Sequence, residues 1–358
     1  SWTERAFIGL METSDPASNI WEDKGFVVCS ASDKGKTDYG RSSINDWEGY
    51  FKINAIDPTY IITENGEHWL IYGSWHSGIA ALQVNPEDGK PLNALGNPWD
   101  ITGEDNSGYG KIIATRGTSR WQASEGPEVI YRDGYYYLFL AYGSLSVEYN
   151  TRVCRSKNID GPYVDIHGNS AMGSAQLYPI LTAPYRFDNS YGWVGISHCG
   201  IFDDGAGNWF YTSQGRFPVN VGGNEYSNAI MMGHVRSIRW DANGWPLVMP
   251  ERYGAVPQAP ITENEIAGDW EHLALTTSTG TQRTSETMTY DLGTHKITSG
   301  SWKNATWTFD AATQTITTSA GVVLYLQREV DWEASPRTHT IVYAAQGNQK
   351  TYWGKKLQ

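Results

Sequence analysis

The sequence has few cysteines and few positively charged residues, and each shortage excludes a class of site or partner. Its 358 residues include three scattered cysteines, too few for a disulfide framework or a zinc cluster: Cys29, Cys154 and Cys199. Lys and Arg total 27 against 39 Asp and Glu, a net charge of −12 that repels phosphate backbones and excludes nucleic acid as a partner. No apolar run approaches the roughly 18 residues of a membrane span, so we expect no membrane partner.

Aromatic residues and glycine are abundant instead. The chain contains 16 Trp, 22 Tyr and 38 Gly. Such rings favour β-strands and also provide flat surfaces that stack on sugars, while many glycines indicate many tight turns. The composition therefore predicts an all-β protein.

Three segments of the sequence resemble one another. Each has a polar residue, a short apolar strand, an Asn-Gly or Asp-Gly turn and an aromatic-rich strand, and they cover 56–75, 125–140 and 198–211. The polar residues are Asp57, Glu125 and His198, spaced by 68 and then 73 residues. A β unit that recurs about every 70 residues is typical of propeller blades.

The repeated polar position predicts a shared pocket. The innermost strands of a propeller line its channel, and their first residues lie at one mouth. We therefore expect Asp57, Glu125 and His198 to converge. Two carboxylates at one mouth indicate glycoside hydrolysis, in which one acid protonates the leaving oxygen and another carboxylate assists.

The same period suggests where the propeller begins and ends. Counting back from Asp57 gives a position before Ser1, so we expect the first blade and the inner part of the second to be missing from this chain. Either a separate N-terminal segment would then complete the propeller, or the chain is a truncated fragment. Residues 1–256 form the predicted propeller domain, and residues 257–358, rich in alternating Thr and Ser, an ancillary small β-barrel or sandwich.

Several motifs together resemble glycoside hydrolase family 43 arabinanases, especially the two-domain endo-acting type. The motifs are Asn54-Ala55-Ile56-Asp57-Pro58, Gly73-Ser74-Trp75-His76-Ser77-Gly78-Ile79, Ser124-Glu125-Gly126-Pro127, Tyr149-Asn150-Thr151-Arg152, Arg216-Phe217-Pro218 and Asn243-Gly244-Trp245-Pro246. The resemblance implies a five-bladed β-propeller and an inverting mechanism.

The resemblance also assigns roles to residues. It makes Glu125 the general acid, and Asp57 the carboxylate that orients this acid and modulates its pKa. The family's general base is an Asp that opens the first blade, and no residue of this chain matches it; Asp15 matches a turn between outer strands instead. The candidate substrate-binding residues are Asn54, Ser74, Trp75, Tyr149 and Arg216.

His198 matches a family histidine that often lies beside a calcium held mostly by water. The chemistry needs no cofactor, but the match suggests one hard cation, calcium or sodium, near His198; a channel histidine without metal is the alternative. Cys199 stands where the family usually has Asn, and a thiol adds no affinity for calcium. Gln214 stands where the family commonly has His. Packing or surface roles are expected for His76, His167 and His234.

We therefore expect an inverting endo-α-1,5-L-arabinanase acting on arabinan or arabino-oligosaccharides, secreted from the cell. Two alternatives stay open. One is a non-catalytic carbohydrate-binding propeller fragment, and the other is an exo-arabinanase, arabinofuranosidase or β-xylosidase of the same family.

Overall fold

The protein is mostly β-structure and divides into two compact units. The computed structural model describes residues 6–30, 53–95, 108–117, 124–173, 176–188, 190–276 and 282–358. The first unit comprises Ser1–Ala141 and Val153–Leu177, and the second comprises Tyr142–Arg152 and Tyr178–Gln358. No helix in these described ranges has the length and apolar character needed to cross a membrane.

The first unit contains a hairpin and two blade-like sheets. Its strands are β1 (Phe7–Glu12), β2 (Glu22–Cys29), β3 (Thr59–Ile62), β4 (His68–Tyr72), β5 (Ile79–Val84), β6 (Lys111–Ala114), β7 (Ser124–Arg132), β8 (Tyr135–Tyr142) and β9 (Asn150–Ser156), of which β8 and β9 continue into the second unit. Strands β3 to β6 pair antiparallel in chain order. Such a four-stranded meander is the form of a propeller blade.

The turn residues of the first unit have the expected conformations. Asp133 and Gly134, between β7 and β8, both have positive φ, 49° and 82°. A two-residue hairpin turn of this kind needs positive φ at both positions, which Asp-Gly tolerates. Asp15 caps the 3₁₀ helix Pro16–Ser18 between β1 and β2, where its Oδ1 accepts a hydrogen bond from the Ala17 N–H. The structure thus confirms both turn predictions.

A core shared by the hairpin and the first blade-like sheet holds this unit together. Buried apolar side chains from β1, β2 and the sheet β3–β6 pack into one cluster: Ile8, Val27, Val28, Leu70, Tyr72, Ala80, Leu82, Val84 and Ile112. The hydroxyl of Tyr72 donates to the carbonyl of Tyr109 at 2.7 Å, so this buried polar group has a partner.

The second unit contains a third four-stranded sheet. Its strands before the C-terminal region are β10 (Ile180–Thr182), β11 (Tyr185–Arg186), β12 (Gly200–Asp203), β13 (Trp209–Arg216), β14 (Met231–Trp240) and β15 (Pro246–Val248), with a 3₁₀ helix at Ser227–Ala229. Strands β12 to β15 again pair antiparallel in chain order. Strand β10 pairs with Thr151 and Arg152 at the start of β9.

The C-terminal region forms one eight-stranded sheet that nearly closes into a barrel. Helix α1 (Glu263–Ile266) precedes β16 (Gly268–Leu275), β17 (Arg283–Thr284), β18 (Glu286–Asp291), β19 (Lys296–Ile297), β20 (Trp307–Asp310), β21 (Thr315–Thr318), β22 (Val323–Asp331), β23 (Thr338–Gly347) and β24 (Lys350–Lys356). The order is β19-β18-β16-β24-β23-β22-β21-β20. A bridge between Lys296 and Thr306 joins the two ends of this order. Of the two predicted forms, barrel and sandwich, the structure has the barrel.

Part of the barrel shares a core with the strands before it. The cluster joins side chains of β10, β11 and β15 to side chains of β16, β23 and β24: Ile180, Tyr185, Leu247, Leu273, Leu275, Val342, Ala344 and Trp353. The indole N–H of Trp353 donates to the Val248 carbonyl at 2.8 Å. The second unit therefore includes strands on both sides of residue 256, and the domain division at that residue stays a prediction.

Candidate functional site

Asp57 lies in a left-handed backbone conformation just before β3. Its φ is 55°, and it is half-buried. Its Oδ2 accepts a hydrogen bond from the Gly126 N–H at 3.4 Å, which ties it to the residue beside Glu125. Asn54, three residues earlier, is buried. A polar residue held in this strained conformation is common at functional sites.

The segment 73–78 between β4 and β5 is folded tightly around two glycines. Gly73 has a φ of 133°, and a Cβ added there would lie 2.4 Å from the Gly78 carbonyl oxygen. Gly78 has a φ of 101°, and its added Cβ would lie 2.2 Å from the Ala114 carbonyl oxygen. Only glycine fits both positions. This fold fixes the intervening Ser74 and Trp75, and the Trp75 N–H donates to the Ser124 carbonyl at 2.9 Å.

Glu125 receives a direct contact from this segment. The Ser74 hydroxyl donates to Glu125 Oε2 at 2.9 Å, and Ser74 is 2% exposed, whereas Glu125 is half-buried. Gly126, with a φ of 56°, follows and turns its N–H to Asp57. The structure therefore brings together Ser74, Glu125 and Asp57: a hydroxyl positions the half-buried acid, and a second carboxylate bonds the backbone N–H of the next residue. Such an arrangement suits a proton donor.

His198 lies in the second unit and has the backbone conformation of Asp57. Its φ is 59°, and like Asp57 it comes two residues before the first strand of a four-stranded sheet. The ring of His198 is exposed, and its Nδ1 is 3.2 Å from the hydroxyl of buried Tyr149. Asp57 and His198 thus have equivalent backbone positions, whereas Glu125 is the second residue of strand β7. Convergence of His198 with Asp57 and Glu125 stays a prediction.

Arg216 ends strand β13 and is held on several sides. Its backbone N–H and C=O pair with Val194, and its Nη1 donates to the Asn228 carbonyl at 3.0 Å. The neighbouring Gln214 donates from Nε2 to the Gly195 carbonyl at 3.2 Å. Half-buried Arg216 therefore braces segment 217–230, and a contact with substrate hydroxyls stays a prediction.

Acidic side chains gather at a place that the sequence did not indicate. In the described ranges, one group of three potential metal ligands occurs, formed by Glu251, Asp331 and Glu333. However, Lys355 Nζ lies 2.9 Å from Asp331 Oδ1 and 2.7 Å from Glu333 Oε2. The ammonium takes the place that a cation would need, so these residues do not fit a metal centre while Lys355 is there.

This group, which we call the Lys355 cluster, is a buried charge network of Lys355, Glu251, Glu271, Asp331 and Glu333. Lys355 Nζ is also 3.2 Å from Glu251 and 3.6 Å from Glu271. Burial, followed by the charge of Glu333, raises the pKa of Glu251 well above its usual value. Burial alone would lower the pKa of Lys355, but Glu251 and Glu333 outweigh it and the pKa is raised. We therefore assign the Lys355 cluster a role in the stability of the fold.

The cation predicted near His198 gains no support from protein ligands. Apart from the Lys355 cluster, no three His, Cys, Asp or Glu side chains in the described part of the chain meet as a metal-ligand group. The phenol of Tyr149 beside the imidazole is a poor donor set for calcium or sodium, which prefer several oxygen ligands. A cation there would be held mostly by water.

One residue has a contact that the sequence did not indicate. The Ser74 hydroxyl donates to Glu125, and the substrate contact expected of Ser74 stays a prediction. The two residues are 51 positions apart, so no local pattern in the sequence joins them. The glycines that flank segment 73–78 were the available sign that its backbone has a special geometry.

Two family models match this chain. Residues 12–246 match the model of glycosyl hydrolases family 43, and residues 250–354 match a C-terminal lipocalin-like domain of that family. Together these regions cover both parts of the sequence and agree with the all-β structure.

Curated relatives match the first part of the chain. An extracellular endo-α-(1→5)-L-arabinanase 2 of Bacillus subtilis is 30% identical over 240 residues, which is 61% of this chain and 46% of that protein. An extracellular endo-α-(1→5)-L-arabinanase of Thermotoga petrophila is 31% identical over 239 residues, 62% and 46% of the two chains. The chain thus spans about half the length of these relatives.

Solved structures share the fold. The crystal structure of endo-1,5-α-L-arabinanase from Thermotoga petrophila superposes with a TM-score of 0.78 at 24% identity, covering 98% of this chain and 77% of the other. A family 43 protein from Bacillus licheniformis gives 0.77 at 24% identity, with the same coverage. At such identity the likeness concerns the fold alone.

Proposed function

Because the chain belongs to glycosyl hydrolases family 43, we propose that it hydrolyses α-1,5-linked L-arabinofuranosides in arabinan, cutting within the polymer. The observation that carries the proposal is the hydrogen bond from Ser74 to Glu125, with Asp57 bonded to the next backbone N–H. The names of two relatives support arabinan as the substrate and a location outside the cell.

In this proposal Glu125 protonates the oxygen of the departing sugar. Ser74 donates to one of its carboxyl oxygens, Oε2, and thereby fixes the orientation of the acid. Asp57 orients the segment that carries Glu125 by accepting the hydrogen bond from the Gly126 N–H. Inversion also requires a carboxylate about 6.5–9.5 Å from the acid to activate water, and we assign this base to no residue of the sequence.

Substrate contacts are proposed for residues around this acid. Trp75 would stack on a furanose ring, since its backbone N–H donates to the carbonyl of Ser124, the residue before Glu125, and an indole can provide a flat stacking surface. Asn54, Tyr149 and Arg216 would bind sugar hydroxyls.

The experiment replaces the proposed acid by an isosteric amide. Glu125→Gln should lower kcat on linear arabinan by about 10²–10⁴-fold, because general acid catalysis contributes about that much. Glu128→Gln, in the same strand β7, is the matched control and should keep activity. Retained hydrolysis by Glu125→Gln would rule out its role.

The products distinguish the alternative activities. Endo cleavage of linear arabinan should release mixed oligosaccharides early, whereas exo cleavage would release a single product. Activity on xylan but not arabinan would instead indicate a β-xylosidase. Binding of arabinan without any product would indicate a carbohydrate-binding module.

A further inference from the structure

A second cleft lies in the second unit, between the sheet β12–β15 and the barrel. Its volume is about 740 Å³, and its walls are the β12–β13 turn with the start of β13, the end of β14, segment 253–261, the β20–β21 turn and strand β22. This volume lies within the roughly 300–1,000 Å³ that ligand sites typically have.

Four aromatic rings line this cleft. They are Trp209, Phe210, Trp240 and Tyr253. The Trp209 and Trp240 rings are perpendicular, with centroids 5.5 Å apart, and the Phe210 ring meets the Tyr253 ring at 4.9 Å. Tyr253 is 42% exposed, and both tryptophans are half-buried. Rings that pack on one side and face an open space on the other are suited to stacking on a ligand.

All but one of the polar side chains that line the cleft are neutral. Its one charged lining residue is Arg239. The guanidinium of Arg239 already donates to the carbonyls of Gln314, Leu326 and Thr313, at 3.3, 2.6 and 3.0 Å. Donors bound to carbonyls in this way are not available for an anionic ligand.

Unused neutral hydrogen-bonding groups accompany the rings. Within the part of the chain that the structure describes, no hydrogen bond involves the Gln327 side-chain amide, the Tyr253 hydroxyl or the Trp209 indole N–H. Aromatic faces combined with neutral amide and hydroxyl groups match the alternating C–H faces and hydroxyl edges of a neutral sugar.

The cleft is separate from the position of His198. Strand β12 begins two residues after His198, whereas the turn that lines the cleft, residues 204–208, follows the other end of β12. A ligand in the cleft would therefore contact the opposite end of this strand.

We propose that this cleft binds a segment of a neutral polysaccharide. We further propose that this polysaccharide is arabinan. The choice of arabinan rests on the proposed function, whereas binding of a neutral saccharide does not. Trp209 provides the stacking surface, and Gln327 and the Tyr253 hydroxyl bind sugar hydroxyls.

Affinity gel electrophoresis tests the cleft with soluble polysaccharides in the gel. The Glu125→Gln chain prevents degradation of the polymer during the run, and gels contain linear arabinan, galactan or no polymer. Trp209→Ala should raise the apparent Kd for the polymer about tenfold, equal to about 1.4 kcal/mol. Gln327→Glu, which adds a charge without disturbing the rings, should act in the same direction.

The matched control is Trp21→Ala, which removes an indole that is 45% exposed in the first unit. If the polymer retards Trp209→Ala, Gln327→Glu and Trp21→Ala equally, the proposed saccharide site is wrong. It is also wrong if neither arabinan nor galactan retards the protein. If the native chain does not hydrolyse arabinan but Trp209→Ala reduces retardation, the proposed function is wrong and the saccharide site in the cleft is supported.

Discussion

At the scale of single residues, the contact between Ser74 and Glu125 is open to direct measurement. Ser74→Ala removes a hydrogen bond to a carboxylate, and such bonds contribute about 1.5–3 kcal/mol. We expect kcat on arabino-oligosaccharides to fall roughly ten- to a hundredfold with little change in KM, because the acid loses its fixed orientation. Ser77→Ala in the same segment is the control, and an equal loss in both variants would contradict the positioning role.

A second residue-scale prediction concerns buried His234. It is 1% exposed and packs edge-on against Trp193, and burial lowers its pKa to about 2. The unfolded chain takes up a proton near pH 6.5 but the folded chain does not, so stability falls as the pH drops below 6.5. Between pH 7 and pH 5 this histidine should cost about 2 kcal/mol of unfolding free energy.

The measurement is urea unfolding of the native chain and His234→Leu at both pH values. The variant should lose less stability on acidification. Equal losses would show that His234 is protonated in the folded protein.

The sequence predicted individual residues unevenly. Asp57 and Glu125 were singled out by their place in the repeat, and the structure joins them through the Gly126 N–H. The carbonyl and hydroxyl partners of the same site were not predictable, because residues such as Ser74 and Ser124 reach it from segments far apart in the chain. Packing of His234 under Gly215 was equally hidden, since it depends on the register of β13 and β14.

At the scale of strands, the ammonium of Lys355 in β24 forms ion pairs with Glu271 in β16 and with Asp331 at the end of β22. Lys355→Met leaves carboxylates buried without it, which should cost about 3–5 kcal/mol of stability. Lys350→Met, exposed at the start of the same strand, should cost little. Urea unfolding measures both.

The pH dependence of Lys355→Met identifies the cause. Without the ammonium, which lowers the pKa of Glu251, Glu271 and Glu333, these pKa values rise, so the folded state gains stability as the pH falls and protons are taken up. The variant should thus recover part of its loss between pH 7 and pH 5. A loss independent of pH would indicate a packing defect instead.

Local sequence patterns predicted where strands lie better than they predicted which strands pair with each other. Alternating residues such as Thr315–Thr318 indicated the strands of the C-terminal region, and Asp133-Gly134 indicated a hairpin. The pairing of β16 with β24, which are far apart in the chain, was not predictable, because strand order depends on contacts between distant segments.

At the scale of the whole molecule, the barrel shares a core with the strands before it. A chain that ends at residue 249 would expose side chains that pack on Trp353, including Tyr185 at a ring distance of 5.0 Å. We expect this truncated chain to aggregate or to lack fixed tertiary packing. Size-exclusion chromatography and near-UV circular dichroism measure this, and a monodisperse chain with a native spectrum would contradict it.

The fold class was predictable from the sequence, but the packing of strands from both sides of residue 256 into one core was not. Family resemblance and composition indicated the all-β class and the C-terminal β domain, and the family models match both regions. The sharing of one core by strands on both sides of residue 256 was not predictable, because the side chains that form it look like ordinary strand residues in each part.

The parallel pair formed by β11 and β17 has a consequence for protein engineering. A graft of the barrel onto an unrelated enzyme would arrive without Tyr185 and Arg186, and β17 would then present unpaired amides to solvent. Keeping this pair intact needs a cut that lies before β11, so that the sheet β12–β15 is exchanged together with the barrel.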